Sequence, residues 1–192
     1  MTSHTTRERD GCDWCIGVPA DIAWLHPFPR DEADPPLPPL FEGIAGVRFP
    51  APLPGAQRRH DLALAELLRA SSPAQAWWLG YLDTGKSEDL VFFDVPTVTV
   101  DDGFEYVLVL AGVEQAIGWR PSEGRSAPWR GALPELMFPE DRSWLLYTPW
   151  DDRCTYIGGP DAVLADLRRD PELGARTDLV WPRAKRPDPA GS

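Results

Sequence analysis

The strongest strand pattern along the chain falls at residues 104–111, Phe-Glu-Tyr-Val-Leu-Val-Leu-Ala. Residues 77–82 and 90–95 are also strand-like, and the polar stretch 83–89 between them predicts a hairpin. Residues 98–100 extend the second of these strands past Pro96, and Asp101-Asp102-Gly103 marks a further turn. Two more runs rich in aromatic and β-branched residues, 143–148 and 153–157, flank the turn formers Pro149, Asp151 and Asp152, which predicts strand, turn, strand. Helical spacing is found in two places. Ala63, Leu64, Leu67 and Leu68 predict an amphipathic helix over 60–71, stopped by Ser72-Pro73. After Gly159, read as the N-cap, Pro160 suits the first helical position and Asp161 the positive first turn. Val163, Leu164 and Leu167 form one apolar face, and Arg168 and Arg169 close the helix. Residues 133–137 predict a short turn or helix, 112–119 are ambiguous, and 179–181 add an edge strand. Strands that follow one another at hairpin spacing, with few helices, favour an α+β fold: a mainly antiparallel sheet with two or three packed helices.

Prolines reshape the N-terminal third. Residues 27–54 hold nine prolines in 28 positions, which excludes helices and central strands there by missing donors and fixed φ. The apolar Phe28, Leu37, Leu40, Phe41, Ile44, Val47 and Phe49 in that stretch predict an extended segment wrapped on the domain, because a free linker carries fewer large apolar groups. Residues 1–12 are expected to be loose, 13–181 to form one α+β domain, and 182–192 to be a disordered tail. The length, 192 residues with 43% hydrophobic content, suits one core and not two. A charge of -11 and a pI near 4.7 argue against binding nucleic acid or an anionic membrane, and fit a basic partner better. With neither a membrane-length apolar run nor the apolar core of a signal peptide at the polar start, a cytoplasmic location is expected.

Candidate chemistry is sparse. Gly80-Tyr-Leu-Asp-Thr-Gly85-Lys86-Ser87 matches the phosphate-binding P-loop formula, but the strand-like Leu90 follows Ser87 too closely for the helix that must face the phosphate. Cys12-Asp-Trp-Cys15 has the spacing of half a zinc site or of a redox pair. Only Cys154, His4, His26 and His60 remain to complete a metal site, and no second close pair is present. The acids Glu140-Asp141 and Asp151-Asp152 sit near Trp144, Trp150 and Tyr156, as in a glycosidase cleft, yet sequence neighbours on a strand or turn point different ways. Asp141 is expected to cap a turn and Arg142 to pair with an acid across the sheet. Ser143 lacks flanking glycines and a histidine base in this part of the chain. No catalytic, cofactor-binding or metal-binding residue is therefore assigned. Of the nine tryptophans, Trp77, Trp119 and Trp144 sit in or beside apolar runs and are expected in the core. Trp129 and Trp150, flanked by proline and charge, are the expected interface anchors, with Asp151 and Asp152 as acidic neighbours.

The residues Pro139, Asp141, Arg142 and Trp144, then Asp151 and Asp152, then Tyr156, Gly158 and Gly159 compose a Pro-x-Asp-Arg-x-Trp, Asp, Tyr-x-Gly-Gly pattern. In this the chain resembles a family of uncharacterised bacterial proteins over its last two thirds, a resemblance that implies no activity. What remains is a small, acidic, tryptophan-rich chain without a catalytic set. At the level of composition and class it is similar to the toxin-neutralising immunity proteins of bacteria. The expectation is a non-catalytic module that binds a protein partner. The alternative is a small enzyme or nucleotide binder using the loop Gly80 to Ser87 or the C-terminal acids.

Overall fold

The computed structural model describes residues 4–25, 36–85, 91–100, 103–120 and 131–181. The strands are β1 (Thr5–Arg9), β2 (Cys12–Ile16), β3 (Gly43–Arg48), β4 (Trp77–Leu82), β5 (Val98–Thr99), β6 (Glu105–Ala111), β7 (Leu136–Pro139), β8 (Leu145–Tyr147), β9 (Cys154–Gly159) and β10 (Thr177–Trp181). The helices are α1 (Pro19–Ile22), α2 (Ala56–Ser71), α3 (Val113–Gly118) and α4 (Asp161–Arg169). All strand pairs are antiparallel, in the order β1-β2-β6-β4-β7-β8-β9-β3-β10, with β5 alongside β6. The fold is α+β, as the pattern predicts.

Both faces of the sheet are covered, so its central strands read as unbroken apolar runs in which every residue of β4 is buried. Alternate side chains feed two cores. On one face Trp77, Leu79, Val107, Val109, Met137, Leu146 and Ile157 meet Leu64 and Leu68 of α2, Ala116 of α3, and Val163, Leu164 and Leu167 of α4. On the other, Trp78, Leu82, Tyr106, Leu108, Phe138, Leu145 and Tyr147 pack with Ile22, Leu25 and Leu37. The segment 36–42 therefore lies on the sheet, with Leu37 buried and Phe41 beside that second core. Residues 26–35 and 182–192 lie outside the described residues.

Several expectations are corrected. The predicted hairpin between 77–82 and 90–95 does not form. One edge of β4 pairs along its length with β6, the other pairs with β7 from Trp77 to Gly80 and gives its Leu82 N–H to the Glu135 carboxylate, while Asp94 takes a left-handed φ of 51° that breaks an extended run. Residues 91–94 instead lay Val91 and Phe92 on the core and expose Phe93. The expected turn or helix at 133–137 gives way to β7, whose residues bury Leu136 and Phe138 on one face and Met137 on the other. The N-terminal segment expected to be loose forms β1, joined to β2 through Asp10 (φ 54°) and Gly11 (φ 75°), both left-handed as a two-residue Asp-Gly hairpin turn requires. The exclusion of strands from 27–54 fails at β3, which pairs with β9 and β10 on its two edges, because the chain is free of proline between Pro39 and Pro50. Pro160, not Gly159, is the N-cap of α4, and α2 starts at Ala56, four residues before the expected start at His60.

Ser72, at the end of α2, joins the first core to the sheet. Its hydroxyl donates to the Leu68 carbonyl at 3.2 Å and accepts the indole N–H groups of Trp77 at 3.2 Å and Trp144 at 3.1 Å. The two rings stand edge to face, 4.9 Å apart at 89°. Trp144→Ala is expected to cost about 3–5 kcal/mol in denaturant unfolding. Ser72→Ala, which leaves two buried indole N–H groups without an acceptor, is expected to cost about 1–3 kcal/mol. An unchanged unfolding midpoint in Ser72→Ala would show that the indoles have other acceptors.

Candidate functional site

The sequence pattern that runs from Pro139 to Gly159 occupies the β8–β9 hairpin and the loop that leads into it, and its two ends differ. At one end, the β8–β9 connection presents Trp150, 41% exposed, beside exposed Asp151. This connection is anchored on several sides. Thr148 donates its N–H to the Glu135 carbonyl at 2.7 Å and shares a hydroxyl hydrogen bond with Thr155 at 2.9 Å, while Phe49 N–H reaches the Arg153 carbonyl at 2.9 Å. Asp152 is only half-exposed, because its carboxylate accepts the Tyr156 hydroxyl at 2.7 Å. Burial, reinforced by that hydrogen bond and by the Asp152 charge, pushes the Tyr156 phenol well above its ordinary range. Trp129, the other expected anchor, lies outside the described residues.

At the opposite end, residues 139–143 form the β7–β8 turn, and each member of the pattern has a physical task. The Pro139 carbonyl accepts the Arg142 N–H at 2.9 Å, closing the turn. Asp141 ties it in place: one oxygen accepts the Ser143 N–H at 2.9 Å, the other accepts the Gln75 amide, and the Gln75 carbonyl receives the Asp141 N–H at 3.0 Å. Burial pulls the Asp141 carboxyl upward, but these hydrogen bonds outweigh it and hold the group below its ordinary value. The turn is therefore capped by Asp141 as expected. Gly158 gives passage to the Phe41 ring, since a Cβ there would lie 2.4 Å from it.

Arg142 departs from its expectation of an acid partner. It is held at a left-handed φ of 58° with its guanidinium 5.5 Å from the centroid of Trp24, and it forms no ion pair with any described residue. Trp24 and Arg142 form walls of an open groove of about 380 Å³, completed by Leu40, Phe41, Glu42 and the start of α4. Trp24 packs edge to face on Phe138 at 5.3 Å, and its indole N–H is buried without an acceptor among the described residues. Glu42 lends one carboxylate oxygen to the Asp161 N–H at 2.8 Å, capping α4. Trp24 and Glu42 were not singled out as site residues by sequence reasoning, and nothing local marks them: Trp24 lies 118 positions before Arg142.

A third polar cluster is interior. A cavity of about 30 Å³ is lined by His60, Asp61, Glu135, Thr148 and Thr155 among others. Histidine, carboxylate and hydroxyl in one pocket suggest catalysis, but their hydrogen bonds commit them to structure. Asp61 accepts the Ala132 N–H at 2.7 Å and the Gln57 amide at 2.8 Å, and Glu135 accepts Arg120 at 2.8 Å and the Leu82 N–H at 3.1 Å. Arg120 also lies 4.6 Å from the Tyr81 ring centroid. Burial, with Arg176 alongside, lowers the His60 pKa to about 3, so its imidazole is neutral and a poor base. Arg176 can only donate to Nδ1, at 2.9 Å, which places the imidazole proton on Nε2.

The remaining motifs do not converge. Gly80 is in the interior of β4 with Tyr81 and Leu82, and Lys86 and Ser87 lie outside the described residues. Cys12 and Cys15, three apart on β2, point to opposite faces, and Cys154 is on β9, five places along the sheet or roughly 24 Å away. Burial pushes the Cys154 thiol up to about 11. Among the described residues no three His, Cys, Asp or Glu side chains gather to hold a metal, and no helix is long and apolar enough to cross a membrane. Glu140-Asp141 and Asp151-Asp152 stand at opposite ends of β8 and cannot act on one bond. No family model, no curated protein and no solved structure matches the chain.

The His60 environment has a measurable consequence. The folded protein holds this imidazole neutral to about pH 3, whereas the unfolded chain protonates it near 6.5. Between these values the unfolded state binds the extra proton, so this residue's contribution to stability is complete above 6.5 and declines as the pH falls. From pH 6 to 4.5, wild type is expected to lose stability faster than His60→Gln by about 1.4 kcal/mol per pH unit. Parallel slopes in denaturant titrations would refute the buried neutral histidine.

Proposed function

We propose that this protein is a non-catalytic, cytoplasmic interaction module that binds a basic protein partner, in the manner of toxin-neutralising immunity proteins. The observation that carries the reading is the β8–β9 connection, where Trp150 is 41% exposed beside exposed Asp151. A tryptophan set among charges on an anchored turn is the usual make-up of a binding hot spot, because little order is lost when it is covered. Asp152, held by Tyr156, fixes the turn and adds charge behind it. The net charge of -11 speeds encounter with a cation and works against nucleic acid and anionic membranes. The hydrogen bonds that commit His60, Asp61 and Glu135 to structure support a role without chemistry.

The test begins with cross-linking in the native host, identification of the captured protein, and binding kinetics with that protein purified. Affinity is expected to weaken as salt rises. Asp151→Lys is expected to slow association several-fold, and Trp150→Ala to act mainly by speeding dissociation. A partner that binds both variants as it binds wild type would move the interface elsewhere. Turnover of a small molecule that Asp151→Asn abolishes would make the protein an enzyme.

A further inference from the structure

The groove between Trp24 and Arg142 is distant from the β8–β9 connection and stands on its own observations. A side chain as bulky as arginine rarely adopts a left-handed backbone, and asparagine or glycine would fit the same turn with less strain. Here the strained position delivers a guanidinium, without an ion-pair partner among the described residues, to the wall of an open groove of about 380 Å³. The opposite requirement, an apolar surface, is met by the Trp24 ring, Phe41 and Leu40, the last 52% exposed. A groove of this size falls in the range of small-molecule sites. Guanidinium beside indole and phenyl surfaces defines a ligand with an anionic head and an apolar body.

Two further groups narrow the class. Glu42 lines the same groove, and although one oxygen caps α4, its negative charge opposes a second charge on the ligand. The overall charge of -11 acts in the same sense. A planar singly charged head matches the fork of a guanidinium, whereas a phosphate dianion meets this repulsion twice over. We propose that this groove is a binding site for a small aromatic or branched carboxylate, held by Arg142 at its carboxylate and by Trp24, Phe41 and Leu40 along its apolar body. Arg142 is the specificity residue, and its cation–π contact with Trp24 keeps it in place while the site is empty of ligand.

Phenylacetate is a suitable probe for the full chain, with neutral phenylacetamide and inorganic phosphate as comparators, each titrated at low ionic strength by calorimetry and by indole N–H NMR. Phenylacetate is expected to bind with a Kd on the order of 1 mM, as its size permits. It should also shift the one indole signal that Trp24→Phe removes. Phenylacetamide and phosphate are each expected to bind at least about tenfold more weakly. Arg142→Asn is expected to abolish binding while leaving the melting temperature unchanged or raised, because asparagine tolerates the left-handed backbone. Loss of binding with a retained fold separates a ligand-binding arginine from a structural one. The proposal is overturned by no phenylacetate binding at about 50 mM, well above that Kd, by equal binding in Arg142→Asn, by phosphate or phenylacetamide binding as tightly, or by unfolding of Arg142→Asn.

Discussion

The hydroxyl of Ser72 is the point on which the rest of the structure depends. A serine hydroxyl has one proton to give and two lone pairs, and here all three are used, on the Leu68 carbonyl and the indoles of Trp77 and Trp144. Those partners come from the last turn of α2, the first residue of β4 and the residue just before β8. One side chain thereby sets the end of the long helix against two strands, and the perpendicular indoles fill the space around it. Alanine, without the oxygen, would leave both buried indole N–H groups without this acceptor. The clamp reaches the surface as well. With Trp77 and Trp144 fixed, the residues next to each are brought together, and Gln75 and Ala76 bond to Asp141 and Glu140. The turn that presents Arg142 is thus built outward from the core.

How far this could be read in the sequence depends on the range of the interaction involved. The strands β4, β6, β8 and β9 were legible because burial on both faces leaves an apolar signature in the residues themselves. The faces of α2 and α4 were legible from their periodicity. Pairing was not. Residues 90–95 carry a strand's composition, and only the competition of β6 and β7 for the edges of β4 excludes them. The reverse holds for β7, whose run Leu136–Pro139 is too brief to show a period and becomes a strand because β4 and β8 accept it on either side. Proline density misled at β3, since a count over 27–54 hides the proline-free window that forms the strand. Asp10-Gly11 was a readable hairpin signal whose weight the polar flanks obscured.

The polar interior follows a different logic. His60, Asp61, Arg120 and Glu135 are all buried, and leaving such groups unpaired costs more than pairing them returns. Their partners include backbone amides and carbonyls at the joints between elements, at Ala132, Leu82 and Leu133, beside the side chains of Gln57 and Arg176. Groups placed this way fix where loops leave the sheet. They resemble catalytic machinery in composition only, because a general base needs a lone pair free at working pH, and the neutral His60 has spent its own on Arg176. From sequence this cluster was invisible, with His60 and Arg176 separated by 116 positions.

Backbone strain separates the Arg142 turn from the other irregular points of the chain. Three residues other than glycine take left-handed conformations: Asp10, Asp94 and Arg142, among the described residues. Aspartate accepts this region with little penalty, since its short side chain can bond locally; Asp10 closes the β1–β2 turn and also accepts the Trp119 indole N–H at 2.9 Å. Arginine gains no such local compensation. Its turn is already closed by the Pro139 carbonyl and braced by Asp141, so the fold would be served as well or better by glycine at that place. What glycine lacks is the guanidinium, and the stacking on Trp24 is a modest return for an exposed cation. A residue kept against its backbone preference, at a point the fold does not require, is better explained by what the groove meets from solution than by what the chain needs to fold.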